Sequence, residues 1–360
     1  MDISVLEQGF GAAECSSQAM AGARQDWFDS YYAASVLRLP YTIVRKLVRG
    51  VFAEYEAQGE LVRAIPARAA LELALIGGES YLKPVFDGSW RWRVIPRNGI
   101  LVFARDHDGE PTDVGLAETH REGRHYYTLL ERRQVANGLL TVTNRLFRSL
   151  SDHDLGREVS LSACAAFAGL PERFTYPKSL GGVGLVRLKT PMTNCIDGSA
   201  EGVSVFAPAM ELMRALEDNE AQLETEFRNG SSRLVVSRDM LRGGQLKDQL
   251  FVALDESPET VGITVFSPEL RQRSFLERQQ AYLRLVENVI GLKRGLLGEV
   301  EAAPRTATEI TSSEGEFLTT LMELRLSFEE AARRAVALVA AMGGAAEECQ
   351  IRWGDNLIDN

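Results

Sequence analysis

Residues able to carry chemistry are few in this 360-residue chain, and their spacing limits what they can do. The four histidines are His107, His120, His125 and His153. His120 and His125 flank Glu122, but a metal site needs at least one further convergent ligand, so this spacing favours exposed histidines of a β region. Cys15, Cys164, Cys195 and Cys349 are far apart and form no C-x-x-C pair. That excludes a zinc ribbon and a redox dithiol, and fits small apolar thiols in a reducing compartment. No G-x-x-x-x-G-K-[ST] loop cradles phosphates, and no G-x-S-x-G elbow presents a nucleophilic serine. Gly181-Gly182-Val183-Gly184 is not followed by a helical pattern, which argues against dinucleotide binding. The pairs Glu329-Glu330 and Glu347-Glu348 fall on polar faces and read as solvated. No enzyme, no metal and no cofactor is expected.

Charge is the more informative chemistry. With 40 Lys+Arg against 50 Asp+Glu the formal net charge is −10, while 45% hydrophobic and 25% charged residues exclude a disordered or collagenous chain. The acidic balance argues against gripping nucleic acid over a broad basic surface, though not against enclosing it. A helical pattern over 204–227 is acidic: Glu211, Glu217, Asp218, Glu220, Glu224 and Glu226 against Arg214 and Arg228. A second, over 268–291, is slightly basic: Arg271, Arg273, Arg278 and Arg284 against Glu269, Glu277 and Glu287. Two solvated faces is the plain reading for a monomer; acidic-on-basic pairing between copies is the sharper one. Lys293, Arg294 and Arg305 flank the loop that follows, where cations also match helix ends.

Four textures position these groups. Residues 14–76 read as short helices: an aromatic cluster at Trp27, Phe28, Tyr31 and Tyr32, then Ile43 to Tyr55, then Pro66 to Ile76 closed by Gly77-Gly78. Residues 78–147 switch to strand period, at Tyr81 to Phe86, Trp90 to Ile95, Ile100 to Arg105 and Arg124 to Arg132. Asn137-Gly138 between two alternating runs is a strong hairpin signal, so an antiparallel β domain is predicted. After a mixed stretch with the strand-like Gly184 to Leu188, the acidic helix follows, with Pro208 in its opening turn and the stripe Phe206, Ala209, Met213, Leu216, Leu223 and Phe227. Strand-like runs at Arg233 to Ser237, Gln249 to Leu254 and Val261 to Phe266 precede Ser267-Pro268-Glu269, which opens the basic helix. That helix carries Phe275, Leu276, Leu283, Val286 and Ile290. Two helices of similar length thus carry a small β unit at their tip. Thr306 and Glu309 form a capping box for a last helix whose apolar stripe runs from Ile310 through Phe317, Leu321, Leu324, Phe328, Ala331, Ala335 and Leu338 to Met342. At 1.5 Å per residue it is about 50 Å long, as wide as a globule of this chain length, which points to an oligomer.

The N-terminal MDISVLEQGF has neither a basic nor an apolar signal region, and the apolar stretch Ala335 to Ala346 is too short to span a bilayer. A soluble intracellular protein is expected.

This order of parts resembles the portal proteins of tailed bacteriophages. Gly202-Val203-Ser204-Val205-Phe206-Ala207 resembles the G-x-S-x-F-A that opens their first stem helix. Arg305-Thr306-Ala307-Thr308-Glu309-Ile310 resembles the T-A-T-E-[IV] segment after their tunnel loop. Leu155 to Leu161 and Ile351-Arg352-Trp353-Gly354-Asp355-Asn356 look like further stretches of the family, and the likeness covers about residues 20–358. The departure is at the end: many portals continue into a helical crown, whereas this sequence stops at Asn360, so a short or absent crown is expected.

The resemblance implies an α+β portal fold. Residues 1–201 would form a wing with an antiparallel β domain, 202–229 stem helix one, 230–267 the clip and 268–291 stem helix two. A tunnel loop at 292–306, a long wing helix at 307–344 and a C-terminal strand or tail at 345–360 would follow. It implies a closed ring of about twelve copies at one capsid vertex, assembled in the host cytoplasm. Double-stranded DNA would pass through it during packaging and ejection. Its partners would be the large terminase subunit, the head–tail adaptor and the major capsid protein, with no catalytic residue of its own. Lys293, Arg294 and Arg305 would be the tunnel-loop cations; Glu217, Glu224, Glu226, Arg271 and Arg278 would be stem charges meeting across subunits. An acidic tunnel fits, because phosphate-neutralising cations would hold DNA rather than let it slide. A shorter head–tail adaptor or other scaffold, and a DNA-processing enzyme of the packaging machinery, are the alternatives. The enzyme would need a P-loop or a carboxylate metal cluster.

Overall fold

The computed structural model describes Phe10, residues 35–230, 271–299 and 307–354, together with the backbone of strands 233–237, 251–254 and 264–266; of 307–314 it describes the backbone alone. Cys15, the Trp27–Tyr32 cluster, Ser267-Pro268-Glu269, Arg305, the Thr306–Glu309 capping pair, the side chain of Ile310, and Asp355-Asn356 lie outside what is described. Helix makes up 39% and strand 28%, with helices and mostly antiparallel strands in separate stretches, which makes the class α+β. Two compact units divide the chain: Met1–Pro208 with Ile290–Leu292 and Arg305–Asn360, and Ala209–Val289 with Lys293–Pro304.

In the first unit, α1 (Leu39–Val51) buries Leu39, Ile43, Val44, Leu47, Val48 and Val51, one stripe at helical spacing. The pattern predicted this helix over 43–55. It begins four residues earlier, with Pro40 in its first turn, and ends earlier too, because Tyr55 leaves for a strand. That strand, β1 (Tyr55–Gln58), pairs with β14 (Gln350–Trp353), placing Tyr55 opposite Trp353. A partner so remote in sequence leaves no trace in local periodicity. The short α2 (Glu60–Arg63) and then α3 (Ala67–Gly77) follow, and Gly78 (φ 86°) ends α3 in the left-handed region.

Strands β2 (Glu79–Phe86) and β3 (Trp90–Pro96) form a hairpin extended by β10 (Val186–Lys189) on the other edge of β2. A larger sheet runs β4 (Ile100–Arg105), β5 (Pro111–Glu122), β6 (His125–Ala136), β7 (Leu139–Ser149), β8 (Arg157–Val159), with β9 (Arg173–Thr175) also on β7. Every pairing in these two sheets is antiparallel. The β6–β7 turn is Asn137-Gly138, both at positive φ (52° and 76°), as a two-residue primed turn requires. The long helix α6 (Ala307–Ala341) buries Leu321, Leu324, Phe328, Ala331, Ala335 and Leu338. Phe328 meets Phe52, Tyr55 and Trp353 edge-on, with ring centroids 5.2, 5.9 and 6.3 Å apart.

The second unit holds α4 (Met210–Asn229), the three-stranded sheet β12 (Phe251–Leu254), β11 (Arg233–Ser237), β13 (Thr264–Phe266), and all but the last residue of α5 (Gln272–Ile290). The acidic helix, predicted from Ser204, starts at Met210 after a 3-10 turn at Ala207–Ala209. Residues 202–206 do tertiary work in the first unit instead. Ser204 is fully buried and its hydroxyl donates to Leu75 O at 3.1 Å. Gly202 passes so close to Gly78 that a Cβ would stand 2.2 Å from Gly78 O. In the helical stripes Met213, Leu216, Leu223, Leu283, Val286 and Ile290 are buried, whereas Phe227 and Leu276, placed there by spacing, are exposed.

Candidate functional site

Of the charged groups singled out by spacing, those described sit on α4, at the start of α5 and along it, and in the loop after α5. The two helices run antiparallel. Asn219 of α4 donates its amide N–H to Phe275 O at 3.1 Å, Gln279 donates to Glu220 Oε2 at 3.3 Å, and Arg271 donates to both carboxylate oxygens of Glu226 at 3.1 and 2.9 Å. Glu226 and Arg271 thus pair within this single chain, where the hairpin brings 226 and 271 to the same level. That hydrogen-bonding guanidinium holds the Glu226 carboxyl below its ordinary range. Glu224 accepts from Arg228 one turn on, and Arg278 donates to Tyr282 Oη while stacking over its ring. Glu217 is half-buried.

The loop is ordered by a residue that composition counted only as a charge. Glu287 is 2% exposed and accepts three backbone N–H groups: Gly295 at 3.0 Å, Leu297 at 2.5 Å and Gly298 at 3.1 Å. Gln280 Oε1 accepts the N–H of Glu299 at 2.8 Å. Positions 280, 283 and 287 share one face of α5, so residues 295–299 lie folded back along it. Glycine composition suggested backbone freedom here; the structure spends it. Gly295 sits at φ 85°, and a Cβ on Gly298 would stand 3.0 Å from Gln280 Oε1 and 3.3 Å from Leu283 Cβ. Lys293 is half-buried, with its carbonyl accepting from Leu296 N at 3.1 Å, and Arg294 is exposed.

A second polar centre lies in the first unit. Glu79 is fully buried and meets three guanidiniums. Arg187 Nε donates at 2.7 Å, Arg97 Nε is 3.1 Å away, and Arg105 Nη2 is 3.4 Å away. Tyr81 Oη and the N–H of Gly202 add bonds at 2.9 and 3.3 Å, and Glu201 takes further bonds from Arg97 and Arg105. Burial alone would raise the Glu79 carboxyl, but Arg187, Arg97 and Arg105 outweigh it and hold it at about 2. Nearby, Glu131 bridges Lys83 and Arg133 at 2.5 Å each, and is likewise held at about 2 against its burial.

Lys83 and Glu131 line a cavity of about 190 Å³, but each neutralises the other there. The Gly181–Gly184 run lines another of about 270 Å³, with the carbonyls of Val183 and Gly184 held by Arg133 Nη1 at 3.0 Å each. His107 and His153 are exposed beside Asp108 and Asp152, and His120 packs edge-on to Phe167. Among the described residues no three His, Cys, Asp or Glu side chains converge as a metal set, and no helix is long and apolar enough to cross a membrane.

Two of these residues, Glu287 and Arg187, share one signal: a charge at a position whose spacing calls for an apolar side chain. Glu287 lies four residues after Leu283 and three before Ile290, and Arg187 stands between Val186 and Leu188 in a strand buried on both faces. No protein-family model matches the chain, and no curated protein matches it.

Proposed function

We propose that this chain is a portal-type subunit: a structural protein that closes into a ring of about twelve copies at a capsid vertex and passes double-stranded DNA, docking the terminase and later a head–tail adaptor. The observation that supports this reading best is the second unit. It gathers two antiparallel helices of 20 and 19 residues, a three-stranded sheet carried between them and a folded-back loop, in the order the sequence resemblance assigns to stem, clip and tunnel loop. A 35-residue helix follows. The acidic surface of α4, with Glu211, Asp218 and Glu224 exposed, suits a wall that repels phosphates.

Negative-stain imaging of the purified chain tests the reading. Closed rings with a central hole are expected; a monomer alone at micromolar concentration, by sedimentation or native mass, overturns it. In filled heads, Lys293→Ala with Arg294→Ala should leave ring assembly intact and lower the packaged genome fraction per head. Unchanged packaging and retention would reduce those cations to helix-end charges.

A further inference from the structure

We propose that Glu287 is the latch of the loop after α5, and through it the positioning residue for Lys293 and Arg294; the link to DNA rests on the portal reading, the latch itself does not. A buried carboxylate needs several donors. Here they are backbone N–H groups of Gly295, Leu297 and Gly298, eight to eleven residues downstream, at 3.0, 2.5 and 3.1 Å. Successive N–H groups turned toward one point form an anion-binding nest. In this chain the anion is the protein's own side chain.

Two further features make this a latch rather than a core contact of α5. Gln280, seven residues before Glu287 and on the same face, takes the next N–H, that of Glu299, at 2.8 Å. Gly298 lies tight against the helix, where a Cβ would stand 3.3 Å from Leu283 Cβ. The strap from 295 to 299 is therefore held at both ends by side chains of α5. Lys293 and Arg294 sit at its base, between the end of the helix and the first latched residue, so where their cations stand depends on the strap staying down. A loop held by an internal carboxylate keeps its shape before any phosphate arrives.

The test is amide hydrogen exchange on the full chain. In Glu287→Gln the side chain keeps its size but loses its charge and turns an NH2 toward the donors. Exchange at Gly295, Leu297 and Gly298 should rise at least about tenfold, since charge-assisted bonds are about twice as strong as neutral ones, while amides 276–286 keep their wild-type protection. Unchanged loop exchange overturns the latch, and so does equal loosening of α5, which would make Glu287 an ordinary core residue of the helix. Leu297→Pro attacks from the other side, removing one donor and altering no helix residue. It should release Gly295 and Gly298 with α5 intact; retained protection at both overturns the latch. DNA retention in filled heads is measured separately. An opened loop with wild-type retention upholds the latch and counts against the portal role of Lys293 and Arg294.

Discussion

Glu79 in the β-rich unit and Glu287 in the helical unit are both buried glutamates, and they are satisfied in opposite ways. Glu79 is met by three guanidiniums drawn from positions 97, 105 and 187. Glu287 is met by three backbone N–H groups within eleven residues. The first arrangement ties β2, β4, β10 and the segment 200–202 into one centre, so its loss is felt by the whole unit. The second ties one loop to one helix, so its loss is local. A carboxylate that gathers cations fixes a fold, whereas one that gathers amides sets the position of a segment.

The sharpest way to break this contrast is Glu79→Gln. It leaves two buried guanidiniums, Arg97 and Arg187, and the half-buried Arg105 around a neutral amide, and removing one partner of a buried ionic group costs about 3–5 kcal/mol. Denaturant unfolding should show a loss of that size, and a far smaller one for Glu287→Gln. Equal losses would erase the distinction between the two sites.

Acid titration sharpens the same point. Glu79 and Glu131 each titrate at about 2 in the folded chain, against an ordinary value of 4.5. With the folded value depressed, the stabilisation is fully present above about 4.5 and is lost as the pH falls toward 2. Stability should therefore fall across that window with uptake of about two protons on unfolding from these groups. Glu79→Gln and Glu131→Gln should each remove about one of them. A titration unchanged by either substitution would mean that these carboxylates feel no net pull from their arginines.

How much of this was legible in the sequence follows from the range of each interaction. The Asn137-Gly138 turn, the strand Ile100–Arg105 and the stripe on α6 depend on neighbours within a few residues, and local pattern carries them. The β1–β14 pair does not: Tyr55 turns out of the helical pattern because its partner is Trp353. The Glu79 centre is legible only in part: Arg187 shows as a charge inside an apolar strand, but the three arginines lie 18, 26 and 108 residues from Glu79, so no local pattern points to their shared partner. Glu287 is the intermediate case. Its partners are near enough to read, but a charge on a helix is counted as solvated unless its place in the apolar stripe is checked. The loop cations Lys293 and Arg294 were found by spacing, yet what orders their loop was not.

The smallest expected effect concerns Glu226 and Arg271, whose two hydrogen bonds lie on the exposed surface of the helical hairpin. Exposed pairs contribute little and are screened within about 10 Å at 0.1 M salt. Glu226→Lys should therefore loosen the hairpin only slightly, and only at low salt. The informative step is the reversal. If the pair is made within one chain, adding Arg271→Glu to the same molecule restores the wild-type behaviour. Mixing copies that carry only Glu226→Lys with copies that carry only Arg271→Glu should then restore nothing. If the acidic helix instead meets the basic helix of a neighbour, as an alternating ring of stems would require, the mixed copies recover assembly at low salt and the single-chain double reversal gains no advantage over them. Sedimentation of the three samples at low and high salt separates the two arrangements. Recovery in the mixture would move this ion pair from the hairpin to the interface between copies.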